Sequence, residues 1–194
     1  YVFSHYRTEQ ERIARIHDFL NFLIFGFFCV LVMLEDVIFW VFPAYKACLP
    51  IFPLLMLNAV FTILCEGTVY GNSIARKPFH DTIGIALGAG GNLVLCGLLA
   101  PKMGLLGAAL ALAVSNGVMF LYRTLTGQYY YRTIPSYAKT ISGFLLAFAV
   151  TAAGTLLAGN FWLKFFTAGA LLLVYCSLYR TELPKLLQMA HRYP

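Results

Sequence analysis

Residues 82–125 read TIGIALGAGGNLVLCGLLAPKMGLLGAALALAVSNGVMFLYRTL, two long apolar runs separated by the short sequence Pro101-Lys102-Met103-Gly104. An apolar run of about 20 residues matches the ~30 Å hydrocarbon core of a bilayer, because an α-helix rises about 1.5 Å per residue. Proline and glycine this close together are typical of a turn. The stretch therefore predicts two membrane-spanning helices, 82–99 and 105–125, joined by a tight turn.

The rest of the chain has the same character. Hydrophobic residues make up 60% of the sequence and charged residues only 11%, with a mean hydropathy of +0.76, whereas soluble domains carry roughly 25% charged residues. The apolar runs continue towards the C-terminus, unlike the single run of a signal peptide. We therefore predict an all-α, polytopic transmembrane helical bundle flanked by polar segments 1–18 and 179–194. Within the transmembrane domain, 19–178, the six predicted spans are 19–42, 51–70, 82–99, 105–125, 137–158 and 161–178.

The basic residues are divided unevenly between the two sets of loops that six spans create. Basic residues concentrate in cytoplasmic loops of membrane proteins, so we expect both ends of the chain to be cytoplasmic. The set that contains both ends holds Arg7, Arg12, Arg15, Arg76, Lys77, Arg123, Arg132, Lys139, Arg180, Lys185 and Arg192. The opposite set holds only Lys46, Lys102 and Lys164.

The net charge of +6 has the same explanation. No basic helix suited to a DNA groove and no aromatic stacking platform is evident, so nucleic acid is not an expected partner. Membrane lipid is the expected one, since basic loops meet anionic headgroups.

Small residues predict how the third and fourth spans pack. Helices in lipid approach closely where Gly, Ala or Ser replaces a larger side chain. We expect these two spans to form a tight antiparallel hairpin. The small residues at three- and four-residue steps are Gly84 and Gly88 in the third span and Gly104, Gly107, Ala111 and Ser115 in the fourth. The glycines at 88–91 lie inside an apolar helix, which argues against a Rossmann nucleotide site.

Polar residues inside spans are costly and usually face a partner or an aqueous cavity. Glu35 and Asp36, near the outer end of the first span, either reach water at the interface or line an ion path. Glu66, in the inner part of the second span, either lines a substrate or ion path or forms an ion pair with Arg76 or with an arginine of another helix. Asn58 and Asn92 either join helices by hydrogen bonds or contact a ligand.

The loop after the second span carries the basic pair Arg76-Lys77, which is either a topology determinant or an attractor for a lipid-linked phosphate. The neighbouring His80-Asp81 lacks the further partners of a catalytic box, and there is no HExxH motif or Ser/His/Asp arrangement. The five cysteines are scattered without a CxxC pair. We therefore predict no catalytic residue, no metal site and no cofactor, and consider an enzyme the weaker class.

Two stretches resemble the C-terminal half of polysaccharide flippases of the multidrug/oligosaccharidyl-lipid/polysaccharide exporter superfamily. One is EGTVYGNSIARKP, 66–78, where a span ends in a polar, basic loop. The other is LLAPKMGLLGAALALAVSN, 98–116, a helix that ends in a proline-containing turn followed by GxxGAAxAxxxS. The resemblance covers 34–125, and the remainder agrees in hydropathy only. The matching positions are Gly104, Gly107, Ala108, Ala109, Ala111 and Ser115.

The resemblance implies a flippase that moves undecaprenyl-diphosphate-linked oligosaccharide across a bacterial inner membrane by alternating access. Such proteins have two lobes, so the chain is expected to be the C-terminal lobe of a larger protein whose N-terminal lobe is missing here. The candidate contacts to a head group or ion are Glu66, Arg76, Lys77, Asn92, Asp36 and Asn58. The alternatives are a multidrug exporter of the same superfamily, a non-catalytic scaffold subunit, and a membrane-embedded enzyme of glycan or lipid synthesis.

Overall fold

A computed structural model describes residues 10–134 and 137–179, and within these ranges the chain is helical and contains no strand. Residues 1–9 and 180–194, which belong to the predicted polar segments 1–18 and 179–194, lie outside the described residues. One 3-10 helix spans Pro43–Ile51. The α-helices are α1 (Gln10–Val41), α2 (Phe52–Thr68), α3 (Tyr70–Ile74), α4 (Phe79–Tyr130), α5 (Tyr137–Leu156) and α6 (Phe161–Tyr179).

Four of the described helical stretches are long and apolar enough to cross a membrane: Arg15–Val41, Pro43–Ile74, Phe79–Tyr130 and Tyr137–Leu156. A shorter apolar helix, Phe161–Ser177, follows them. Large apolar side chains are exposed on the outside of the bundle, as in Trp40 (81%) and Leu93 (78%). Exposed apolar surface on this scale suits contact with lipid, so the chain is a polytopic membrane protein built from helices.

α4 is one continuous stretch of 52 residues, but it reverses at Gly104, where φ is +59° and ψ is −134°. For each pair of residues in contact across the reversal, the two residue numbers add up to nearly the same value. This is expected when two helical arms run antiparallel. The first arm is 79–103 and the second is 105–130. The positions in close approach are Gly84 with Arg123, Gly88 with Met119, Gly91 with Ser115, and Gly107 with Leu99.

The hairpin confirms the packing predicted from the small residues, with one correction. Gly84, Gly88, Gly107, Ala111 and Ser115 are buried. Gly104 was expected to pack as well, but it is exposed and an added Cβ there would meet nothing within 4 Å. Its role is the positive φ of the turn, which glycine adopts without strain.

With α4 counted as two arms, the described chain makes six passes that alternate in direction. Along α1 and α5 the contacting residue numbers rise together, as in Phe25 with Gly143 and Val32 with Gly154, so these helices are parallel. Along α1 and α6 one residue number falls as the other rises, as in Glu35 with Lys164 and Met33 with Gly169, so these helices are antiparallel. α2 runs parallel to the second arm of α4, as Thr68 with Thr124 and Phe61 with Phe120 show.

The core is rich in aromatic side chains drawn from five passes. Phe25 lies edge-on to Phe144, with ring centroids 5.3 Å apart, and Phe61 contacts both Phe120 and Phe144. Tyr175 of α6 also packs edge-on against Phe25, with ring centroids 6.2 Å apart. Offset and edge-on aromatic pairs add to the dispersion energy of close packing. This core separates two polar regions at opposite ends of the bundle.

The two ends differ in charge. The basic end is where α1 begins and α2, the second arm of α4 and α6 end. The opposite end contains the 3-10 helix and Gly104. The basic side chains of the basic end are Arg15, Arg76, Lys77, Arg123, Arg132 and Lys139, and those of the opposite end are Lys46, Lys102 and Lys164.

The first span begins earlier than the predicted bounds 19–42, because α1 is helical from Gln10. The connection between the first two predicted spans, bracketed by Pro43 and Pro50, is a 3-10 helix. Pro43 stands at the start of that helix, where its missing N–H would have no partner in any case.

Candidate functional site

Arg123, on the second arm of α4, lies between carboxylates from two other helical segments. Its Nε lies 3.3 Å from Asp81 Oδ1 of the first arm. Its Nη1 lies 3.6 Å from Glu66 Oε1 of α2. The arginine is 9% exposed, whereas the Glu66 side chain is 67% exposed. Arg123 thus makes a hydrogen-bonded ion pair with Asp81 and a longer, more exposed contact with Glu66.

Of the two partners considered for Glu66, the structure selects an arginine of another helix. Arg76 is exposed and lies in the turn after α3, where its φ is +57°. The sequence assigned Arg123 only to the basic loop set. Arg123 also lies within a predicted span, where an unpaired charge is costly. That position would have identified it as a partner for a carboxylate.

Asn72, the residue at the centre of the short helix α3, ties this network to the second arm. Its Nδ2 donates to Asp81 Oδ1 at 2.8 Å and to Thr126 Oγ1 at 3.2 Å. The backbones approach closely as well, because an added Cβ at Gly71 would lie 1.8 Å from the carbonyl oxygen of Gly127. Asp81 is therefore fixed from two sides, by Asn72 and by Arg123.

Lys77 belongs to a separate aromatic group beside the ion network. Its Nζ donates to the hydroxyl of Tyr130 at 3.3 Å and lies 4.8 Å from the centre of that ring. His80 contacts the hydroxyls of Tyr122 and Tyr130 through its two ring nitrogens, at 3.2 and 3.4 Å. The structure thus gives Lys77 a partner within the protein, and it brings neither Lys77 nor Arg76 into contact with Glu66.

A cleft of about 210 Å³ opens between α1 and α2 at the basic end. Its lining is largely apolar and includes Leu20, Ile24, Ile63 and Leu64, and we call it the polar cleft for the few polar side chains that it contains. Its polar lining comes from His17, Asn21, Glu66 and Tyr70. Asn21 is 1% exposed, and its Nδ2 lies 3.3 Å from His17 Nδ1. Asn21 Oδ1 is buried and has no hydrogen-bond partner in the described part of the chain.

Asp18 links the cleft to α5. Its Oδ2 accepts a hydrogen bond from Lys139 Nζ at 3.2 Å, and His17 Nδ1 lies 3.7 Å from its Oδ1. His17, Asp18 and Asn21 were not identified from the sequence, because the first two fell in the polar segment 1–18. His17 and Asn21 line a cleft with Glu66 only because α1 and α2 pack together.

A second charged group lies at the opposite end. Lys164 Nζ lies 2.6 Å from Glu35 Oε1 and also contacts the carboxylate of Asp36. The side chains of Lys164 and Glu35 are fully buried, and that of Asp36 is 24% exposed. Of the two alternatives considered for these carboxylates, contact with water at the interface does not hold for the buried Glu35. The sequence did contain a signal for this ion pair. Lys164 lies inside an apolar helical run, and a buried ammonium requires a carboxylate partner.

The two asparagines behave differently. Asn116 Nδ2 donates to Asn58 Oδ1, so Asn58 joins α2 to the second arm of α4. Asn92 is partly exposed on the first arm, and no described side chain hydrogen-bonds to it. Of the predicted site residues, Glu66 alone lines the polar cleft.

Comparison with known proteins finds no matching family model, no similar curated protein and no similar solved structure. Function is therefore argued from the residues and their geometry. The arrangement offers a polar cleft with a loosely held carboxylate at one end of an aromatic core, and a buried ion cluster at the other.

Proposed function

We propose that the chain is part of a membrane transporter that moves a lipid-linked oligosaccharide across the cytoplasmic membrane of a bacterium by alternating access. The observation that carries the proposal is the position of Glu66. Its carboxylate lines the cleft, is two-thirds exposed, and lies 3.6 Å from an arginine already paired with Asp81. Ionisable residues within spans commonly mark a substrate or ion path.

The loose contact between Glu66 and Arg123 suits a group that exchanges partners. A distance of 3.6 Å exceeds that of a hydrogen bond, so Glu66 gives up little when it turns towards a substrate. Arg123 keeps its closer contact to Asp81. The site thus combines a fixed ion pair with a carboxylate free to bind.

The sequence resemblance to polysaccharide flippases supplies the substrate class and the second lobe with which this bundle would rock. The charge asymmetry supplies the orientation. The basic end would face the cytoplasm, because basic residues are retained on that side. The cleft at that end would then receive a substrate made in the cytoplasm.

The test uses cells in which the gene is deleted and the full-length protein is restored as wild type or as a variant. Glu66→Gln should lower surface polysaccharide and leave a lipid-linked intermediate to accumulate, with protein level unchanged. Arg76→Ala should also lower polysaccharide if the exposed arginine attracts the lipid-linked phosphate. The matched control is Lys102→Ala, an exposed cation at the opposite end.

Normal polysaccharide in Glu66→Gln cells would contradict the role of this cleft. Efflux of drugs by the wild type with no change in polysaccharide on gene deletion would replace the proposed substrate by a multidrug one.

A further inference from the structure

The ion cluster formed by Glu35, Asp36 and Lys164 at the opposite end of the bundle contains more anionic than cationic groups. Lys164 Nζ lies 2.6 Å from Glu35 Oε1 and also contacts the carboxylate of Asp36. If all three side chains are ionised, two carboxylates face a single ammonium. One negative charge is then left without a partner inside the protein.

The elements packed around the cluster bring no second cation to it. The charged residues of α2 and α5, Glu66 and Lys139, both lie at the basic end. Lys46 of the 3-10 helix is exposed and forms no ion pair with any described residue. In the adjoining parts of α1 and the 3-10 helix, the other titratable side chains are uncharged at neutral pH, and they are Cys29, Tyr45 and Cys48.

Burial prevents water from compensating the excess charge. The side chains of Glu35 and Lys164 have no exposed surface, and that of Asp36 is 24% exposed. Glu35 Oε2 is also buried and has no hydrogen-bond partner in the described part of the chain. A buried charge without a partner is costly, and two carboxylates that share one site resist being ionised together. A proton on one of the two carboxyl groups removes the excess charge.

The geometry favours a proton over a metal ion. The ammonium of Lys164 already occupies the position between the two carboxylates. Calcium and magnesium ions require about six or more oxygen ligands, and the described residues contain no group of three or more His, Cys, Asp or Glu side chains suited to a metal. A proton needs no such shell, and the partly exposed Asp36 gives it access from the water at this end.

The Arg123 group at the basic end has the same ratio of charges but a different exposure. Arg123 lies beside Asp81 and Glu66, so two carboxylates again face one cation. The Glu66 side chain, however, is 67% exposed, so water can solvate its charge. This group therefore needs no proton and is the natural control.

We propose that Glu35, Asp36 and Lys164 form a proton-binding site, in which the two carboxyl groups share one proton taken up from the water at the opposite end of the bundle. This inference goes beyond the proposed function and does not depend on it. With the proton bound, the cluster has no net charge and holds α6 most firmly against α1. Without the proton, the excess negative charge weakens that contact.

The experiment records the infrared spectrum of the full-length protein at neutral pH in a detergent that has no ester groups. The carbonyl stretch of a protonated carboxylic acid is separate from the bands of a carboxylate. Glu35→Gln and Asp36→Asn should each lose the band of one carboxylic acid, because either change leaves one carboxylate for one ammonium. Asp36 is partly exposed, so its variant guards against a folding failure of the buried one. Glu66→Gln is the matched control and should keep the band.

Three results would overturn the proposal. The band could be unchanged in both variants. It could be lost in only one of them, which would indicate an isolated carboxylic acid and no shared proton. It could also disappear from the wild type when sodium chloride is added at constant pH, which would indicate a metal cation in place of the proton.

Thermal unfolding at a series of pH values provides a second readout. The folded site holds a proton that the two carboxyl groups release at neutral pH once they are exposed to water, so the stability of the wild type should fall as the pH rises. Asp36→Asn should lack this part of the pH dependence, and an equal pH dependence in both proteins would also contradict the proposal. Neither readout involves polysaccharide, so the result for Glu66→Gln in cells tests the transporter separately.

Discussion

Lys164 Nζ lies 2.6 Å from Glu35 Oε1, and neither side chain is exposed. The pair joins the first pass to the last, 129 residues apart. A buried ammonium that loses its partner, or a carboxylate that loses its ammonium, is strongly destabilising, because the remaining charge is then uncompensated. The pair therefore fixes α6 against α1 at the opposite end of the bundle.

Replacing Lys164 with Met should lower the free energy of unfolding by about 3–5 kcal/mol, because Glu35 is left buried without a cation. The triple variant Glu35→Met/Asp36→Asn/Lys164→Met should recover most of that loss, since neither carboxylate that contacts Lys164 is then left without a cation. Thermal unfolding in detergent measures both. The control is Lys102→Met, and a single variant as stable as this control would show that the pair does not hold the helices.

Gly107→Ala should destabilise the hairpin. The added Cβ would lie 2.3 Å from the carbonyl oxygen of Leu99, a backbone atom that cannot move aside cheaply. Gly97→Ala is the matched control on the first arm, where an added Cβ meets nothing within 4 Å. Alanine normally stabilises a helix by up to about 1 kcal/mol relative to glycine. We therefore expect opposite signs from the two variants in thermal unfolding, and equal signs would refute the close approach of the arms.

Gly104→Ala probes the turn itself. The position has ample space but a φ of +59° and a ψ of −134°, a conformation in which a side chain costs about 1–3 kcal/mol. We expect lower thermal stability without a change in helical content by circular dichroism. A variant as stable as the wild type would mean that the reversal does not require glycine.

Arg123→Gln should be destabilising, because Asp81 loses a partner that is 3.3 Å away in a buried setting. Combining it with Asp81→Asn should reveal a coupling of about 0.5–3 kcal/mol in a double-mutant cycle, as for other side chains in direct contact. The same cycle with Glu66→Gln should give about 0–1 kcal/mol, since Glu66 is exposed and farther away. Equal coupling for both carboxylates would contradict the view that Glu66 is held loosely.

The hairpin could be predicted because its signals are local. Small residues at three- and four-residue steps and a proline–glycine turn lie within one stretch of chain. The Arg123 site could not be found this way. It assembles Glu66, Asp81 and Arg123 from three helical segments, and nothing in their spacing specifies which carboxylate is the closer one.

The sequence by itself determined that this chain is a helical membrane protein with a hairpin at Gly104. An apolar run enters lipid because of its composition and length. In lipid it forms a helix, because a helix pairs all backbone hydrogen-bonding groups within the run. Only the tertiary structure decided that Lys164 neutralises Glu35, that Arg123 is shared by Asp81 and Glu66, and that α1 and α2 enclose the polar cleft. These contacts depend on which helix faces pack against each other. The interactions act over a few ångströms between residues of different helices, so the sequence of one helix does not specify them.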